Sequence, residues 1–133
     1  MKYMLDTNAI IMAVRHNDWE ISKRIKEHIG VDLCISVITY GELEYGIKKS
    51  NNPDKNRTAI LQILSGIRVI EFDVKAAEHF GDIFADLENK RMRIGDRDML
   101  IAAHARSLGY VVVTNNTREF SRVNGLLVED WSI

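Results

Sequence analysis

The sequence predicts an α/β fold: a three-layer α/β/α sandwich in which helices cover both faces of a mainly parallel central sheet. Three observations predict it. Short apolar runs alternate with longer stretches of helical spacing, the pattern of successive βαβ units. One run, YVVV at residues 110–113, is apolar throughout, as is typical of a strand covered on both faces of a parallel sheet. The chain has 133 residues, 46% of them apolar, a single proline and no Ser/Gly-rich stretch, so it reads as a single domain over residues 1–133 without a linker.

Each element follows from local pattern. The first strand is the apolar run at residues 3–5, which stops at Asp6-Thr7-Asn8. Helical spacing over residues 9–14 and 21–29 predicts helices there, and DLCIS at residues 32–36 predicts a second strand. Residues 37–49 turn helical, with Ile38, Leu43 and Ile47 as candidate core positions. Asn52-Pro53 starts the next helix, which runs to about Leu64, because proline lacks an N–H that a first turn leaves unpaired anyway. RVIEF at residues 68–72 is a third strand. Asp73 caps a long helix reaching about Lys90, whose expected apolar stripe is Val74, Ala77, Phe80, Ile83, Phe84 and Leu87. A basic turn over residues 90–95 leads to a helix over residues 96–108, stopped by Gly109. The YVVV strand follows, and residues 126–128 form a last short one.

Eighteen lysines and arginines face 19 aspartates and glutamates, a formal charge of −1. That excludes a nucleic-acid binder held by bulk attraction, though not a local basic patch. The lone Cys34, between Leu33 and Ile35, reads as a buried thiol in a reducing compartment. No apolar run approaches the roughly 20 residues of a membrane span. Asp6 comes too early for a signal peptide. The expected location is the cytoplasm, with no membrane contact.

The chemistry lies in where the acids fall. Ligands of open parallel sheets bind beyond the carboxyl ends of the strands. Asp6 sits at such an end, as do Thr114, Asn115 and Asn116 after the YVVV strand. Glu42 lies in the helix after the second strand, and Asp98 in the first turn of the helix after Gly95. Parallel topology brings these positions to one sheet edge. Carboxylates gathered without basic partners repel one another unless a cation sits among them, and hard oxygen donors select Mg²⁺ or Mn²⁺ over zinc. An acidic metal pocket is the expectation.

Each acid also has a plainer reading. Asp6 would cap a helix starting near Ala9, and Thr39-x-x-Glu42 has the form of a capping box. Asp96 and Asp98 fit an acidic first turn, and being two apart they point to different faces, so that only one reaches a pocket. Glu119 reads as a solvated acid beside Arg118. His104, within IAAHA and across the helix from Asp98, reads as a packing histidine. His16, His28 and His79 have no partner at ligand spacing, which argues against zinc. Neither a Ser/His/Asp or Cys/His nucleophile signature nor a Gly-rich phosphate loop is present.

Four blocks, MLDTN, ISVITYGELEYG, GDRDMLIAAHARSLG and VVVTNNTREFSRVNGLLVEDW, together closely resemble PIN-domain toxins of the VapC type, and most of all their enteric branch. The likeness spans essentially the whole chain, in order and spacing. It implies a Mg²⁺-dependent endoribonuclease, with Mn²⁺ able to substitute, acting as the toxin of a toxin–antitoxin pair. It implies a homodimer, larger toxin–antitoxin assemblies, and neutralisation by a VapB-type antitoxin. The enteric likeness implies a structured RNA as substrate, tRNA and specifically initiator tRNA at its anticodon loop, with inhibition of translation as the result. Carried over by position, the catalytic acids are Asp6, Glu42 and Asp98, with Asp6 and Asp98 holding the metal. The position where many PIN domains carry a fourth acid holds Asn116, with Glu119 three residues on, so the resemblance leaves either as the fourth ligand. Thr7 and Thr114 match positions whose hydroxyls line the pocket, and Asn8 and Asn115 adjoin them.

Lys90, Arg91, Arg93 and Arg97 stand beside Asp98, and Lys48, Lys49, Lys55 and Arg57 form a second basic run. Each reads either as a solvated turn or as a grip on RNA phosphates. Two other classes are weighed. A haloacid-dehalogenase-like phosphatase needs an Asp two residues after the first, where this chain has Asn8. A PIN-like binding module without catalysis would have lost Asp6, Glu42 or Asp98, and all are present.

Overall fold

The structure, a computed structural model, describes residues 1–15, 19–30 and 32–133; His16 lies outside them. In chain order the elements are β1 (Tyr3–Leu5), α1 (Thr7–Arg15), α2 (Trp19–His28), β2 (Leu33–Ser36), α3 (Val37–Lys49), α4 (Pro53–Leu64), β3 (Arg68–Ile70), α5 (Val74–Asn89), α6 (Asp96–Leu108), β4 (Val111–Val113), α7 (Thr117–Phe120) and β5 (Leu127–Glu129). The strands form one five-stranded sheet in the order β3-β2-β1-β4-β5. Every pairing is parallel. The strand order reverses between β1 and β4, and a crevice opens at that point.

Alternation along the strands splits the apolar residues between two cores, because successive side chains leave opposite sheet faces. Met4, Cys34 and Val112 face Ile83, Leu87, Met99 and Ile101 of α5 and α6. Leu5, Leu33, Ile35 and Val113 face Ile10, Ile25, Leu43 and Leu64 of the first four helices. These are the three expected layers. Removing each such side chain from water is worth roughly 1.5–3 kcal/mol. Cys34 is a buried free thiol, and burial pushes it up to about 12, so it stays protonated and inert.

The helix boundaries follow their caps. Asn52 Oδ1 accepts the Lys55 N–H at 3.3 Å, and Asp73 Oδ1 accepts the Ala76 N–H at 2.9 Å. Gly109, at φ 72°, lets α6 end in a left-handed turn that a side chain would disfavour. Four expectations need correction. The apolar stripe of α5 is Ala76, Phe80, Ile83, Phe84 and Leu87, whereas Val74 and Ala77 are exposed on the first turn. β3 stops at Ile70, and β5 runs one residue later than expected. α7, only one turn long, carries no periodicity to betray it. No capping box forms at Thr39, because α3 begins directly at the end of β2. Ser36 is its N-cap, with Oγ accepting the Ile38 N–H at 3.0 Å.

Among the described residues no helix is long and apolar enough to cross a membrane.

Candidate active site

Asp6 is the first residue beyond β1. Its backbone N–H donates to the Val113 carbonyl at 3.0 Å, which ties it to β4 at the point where the sheet reverses. Its Oδ1 accepts the Ala9 N–H at 2.8 Å, so Asp6 does cap α1; the plainer reading holds together with the functional one. The side chain is only 2% exposed. Burial pushes its carboxyl from the ordinary 3.8 up to about 7; hydrogen bonds from Thr114 and Ala9 oppose the push, and the Asp98 and Glu42 charges add to it.

Glu42 reaches the same space from α3. Thr7 donates its hydroxyl to Glu42 Oε1 at 2.5 Å, and Arg97 Nε donates to Glu42 Oε2 at 2.8 Å. Both carboxylate oxygens are therefore held, one from each side of the crevice. Asp98 comes from the first turn of α6. Its carboxyl is held above the usual range by burial, then by Glu42 and Glu119, while the Asn116 amide and Arg97 pull it down.

Behind these acids, Thr114 Oγ1 accepts the Asn116 N–H at 2.9 Å. Asn116 Nδ2 donates to Glu119 Oε2 at 2.6 Å. Glu119 is therefore not a solvated acid beside Arg118 but a neighbour of the Asp98 charge. Asn8 lines the cavity, and Asn115 is exposed and does not.

The cavity has a volume of about 610 Å³ and is lined by Asp6, Thr7, Asn8, Glu42 and Asp98, with Asp96 and Arg97 at its rim. Asp96 lines it too, against the expectation that only one of the pair would; its short side chain reaches the rim, where it pairs with Arg93 at 2.9 Å. A second groove of about 660 Å³ shares Glu42, Tyr45 and Arg97 with this cavity and continues over Val37, Ile38 and Leu100. Nothing in the sequence singled out Tyr45, which is 64% exposed.

The basic residues divide. Arg97 reaches the cavity, and its first partner is an acid rather than a free rim position. Lys90 pairs with Asp86 at 3.0 Å. Arg93 pairs with Asp96 and lies over the Phe84 ring, 4.8 Å from its centroid. Arg91 is exposed, in the left-handed region at φ 56°. In the second run Arg57 is bound to Glu44 and Lys49 lies over Tyr45. His104 is 1% exposed and outside the cavity. His28 stacks on Trp131, and His79 accepts from Arg106.

Among the described residues no three His, Cys, Asp or Glu side chains close into a tight cage for an ion. The cavity offers instead a few oxygen donors in a roomy space, with excess negative charge. This donor set fits a hard cation that keeps several waters, as Mg²⁺ does.

A family model described as PIN domain matches residues 3–126. The chain is 44% identical over 131 residues to a Haemophilus influenzae protein named ribonuclease VapC2, covering 98% of each. It is 44% identical over 132 residues to the tRNA(fMet)-specific endonuclease VapC of Shigella flexneri, covering 99% of each. It superimposes with a TM-score of 0.93 on a chain of the DNA-bound VapBC structure from Salmonella typhimurium, 42% identical and 98% covered on both sides.

Proposed function

The chain belongs to the PIN-domain family, in its VapC branch, and on that premise we propose that it is a divalent-metal-dependent endoribonuclease. It acts in the cytoplasm as the toxin of a toxin–antitoxin pair, cleaving initiator tRNA at its anticodon loop and so inhibiting translation. Residues 1–133 form its one catalytic domain. The observation that carries this reading is the convergence of Asp6, Glu42 and Asp98, distant in sequence, on one cavity at the sheet's reversal point. The name of the Shigella flexneri relative supports tRNA as substrate. The VapBC assemblies of the solved relatives support a VapB-type antitoxin. A toxin homodimer is the assembly proposed to meet it.

Asp6 and Asp98 would hold Mg²⁺, with Mn²⁺ as substitute. When bound, that ion supplies a water of lowered pKa and neutralises charge developing on the phosphoryl oxygens. The protein's own share is orientation and proton handling. Thr7 and Arg97 keep the Glu42 carboxylate aimed into the cavity, where it orients the attacking water and takes its proton. The new P–O bond forms as the bond to the leaving ribose oxygen breaks, and that oxygen takes a proton from solvent. Because water is the nucleophile, the ribose 2′-OH need not enter the cut. Choice of RNA then rests on shape and contacts around the bond.

The test is cleavage of initiator tRNA by the purified chain free of its antitoxin. Cleavage is expected with Mg²⁺ or Mn²⁺ and lost with EDTA or in Asp6→Asn. Equal cleavage in EDTA would refute the metal dependence.

A further inference from the structure

Tyr45 stands where the acidic cavity meets the second groove, and it lines both. Burying an aromatic side chain is a large gain for a fold, yet Tyr45 is 64% exposed. The groove beyond it, about 660 Å³, has the size of a pocket for a small organic group. Its walls are apolar: Val37 is exposed, and Ile38 and Leu100 are half-buried. Gly41 lies one turn before Tyr45 on the same face of α3 and supplies part of the floor.

Gly41 is the informative residue. A glycine inside a helix costs stability relative to alanine. Its φ is not positive, and a Cβ built there would meet no atom of the chain within 4 Å. Neither backbone conformation nor internal packing therefore requires glycine at this position. What a methyl group would take up is the open space of the groove. Helical side chains lean toward the helix N-terminus, so Tyr45 projects over the turn that holds Gly41.

The surrounding charges suit a polyanion. Lys49, one turn on, places Nζ 5.6 Å from the centroid of the Tyr45 ring. Lys48 beside it is exposed, and Arg97 lines both cavities. Glu42 and Tyr45 are three residues apart, about 4.5 Å along the helix axis, so one nucleotide can span them. The polar side chains of the groove, Glu42 and Arg97, already bond each other. A flat nucleobase needs no further partner there, because it stacks through its π-face.

We propose that Tyr45 and Gly41 form a slot for one unpaired nucleobase beside the scissile phosphate. Tyr45 stacks on the base, and Lys49 meets the adjoining phosphate. The slot selects a base splayed out of its helix, as in a loop, and sets no sequence, since every base has a π-face. This deepens the endonuclease reading and rests on it.

Cross-linking tests the slot without turnover. An anticodon stem-loop of initiator tRNA and an unstructured RNA of the same length, each carrying one 5-iodouridine, are irradiated with the intact chain in EDTA. Adducts mapped by mass spectrometry are expected on Tyr45; adducts confined to other residues would overturn the slot. Adducts on Tyr45 with the unstructured RNA alone would support the slot and count against initiator tRNA.

RNA affinity and steady-state cleavage are then compared in Tyr45→Phe, Tyr45→Leu and Gly41→Ala. Loss of one base–aromatic stack weakens binding about 5–150-fold. That drop is expected in Tyr45→Leu, in KM more than in kcat, while Tyr45→Phe keeps the ring and stays near wild type. Gly41→Ala should melt at a higher temperature than wild type and still bind RNA more weakly, a combination that a merely structural glycine does not give. Wild-type affinity in Tyr45→Leu, or equal losses in Tyr45→Leu and Tyr45→Phe, would overturn the proposal. If Tyr45→Leu kept its RNA affinity and lost self-association or antitoxin binding, the groove would be a protein contact instead. Failure of wild type to cleave any RNA would refute the endonuclease reading, and the cross-link would still decide the slot separately.

Discussion

Ser36 Oγ and His104 Nδ1 lie 2.8 Å apart in the buried space between β2 and α6. The same Ser36 oxygen caps α3, so one hydroxyl joins the helix that carries Glu42 to the helix that carries Asp98. Burial holds His104 below its ordinary value, against Asp73 and the Glu71 bond.

A pH dependence follows. The folded protein keeps His104 neutral, and the unfolded chain takes up the proton first as pH falls. Stability from this group is therefore complete above the ordinary histidine value of about 6.5 and is lost as pH drops below it. Asp6 pulls the other way, so the informative quantity is the gap between wild type and His104→Gln. In urea unfolding that gap, about 1–3 kcal/mol at pH 7.5 from a lost buried hydrogen bond, narrows at pH 5.5. A gap independent of pH contradicts the account.

Asp6 carries a built-in conflict between stability and activity. Its carboxyl stands at about 7 in the fold against 3.8 ordinarily. The folded state therefore binds the proton more tightly, and stability from this group is present below about pH 4 and lost as pH rises through 7. Asp6→Asn should be more stable than wild type at pH 8, by up to about 4 kcal/mol before relaxation is counted, while losing cleavage. Mg²⁺ should raise the wild-type melting temperature and leave that of Asp6→Asn unmoved. A variant less stable than wild type at pH 8 speaks against the buried-charge argument.

Arg97 bonds Glu42, one of the acids that converge in the cavity. The pair is largely exposed on the arginine side, so Arg97→Ala should change stability by less than about 1 kcal/mol. RNA binding should weaken, and the slope of log affinity against log salt should fall by about one. Lys90→Ala, already paired with Asp86 away from the cavity, is expected to leave both near wild type. Equal effects of the two substitutions would remove Arg97 from the substrate path.

Most of the scaffold was legible because its signals are local. Asn52-Pro53, Asp73 and Gly109 mark helix ends through backbone chemistry that operates within a turn. Asp6, Glu42 and Asp98 were legible as positions, since parallel topology alone brings strand ends and the helices beside them together. What was not legible depends on contacts between distant residues. Ser36 displaced Thr39 as the cap of α3 because β2 passes into the helix without a loop. Glu119 read as solvated because α7 is too short to show a period. Arg97 read as a solvated turn residue or a grip on phosphates because its partner, Glu42, lies 55 residues away.

The most direct test of the central claim is a map of RNA 5′ ends in total RNA after brief expression of the chain without its antitoxin, compared with Asp98→Asn. The account predicts new ends concentrated in the anticodon loop of initiator tRNA with wild type and none with the variant. Identical maps for the two would contradict it.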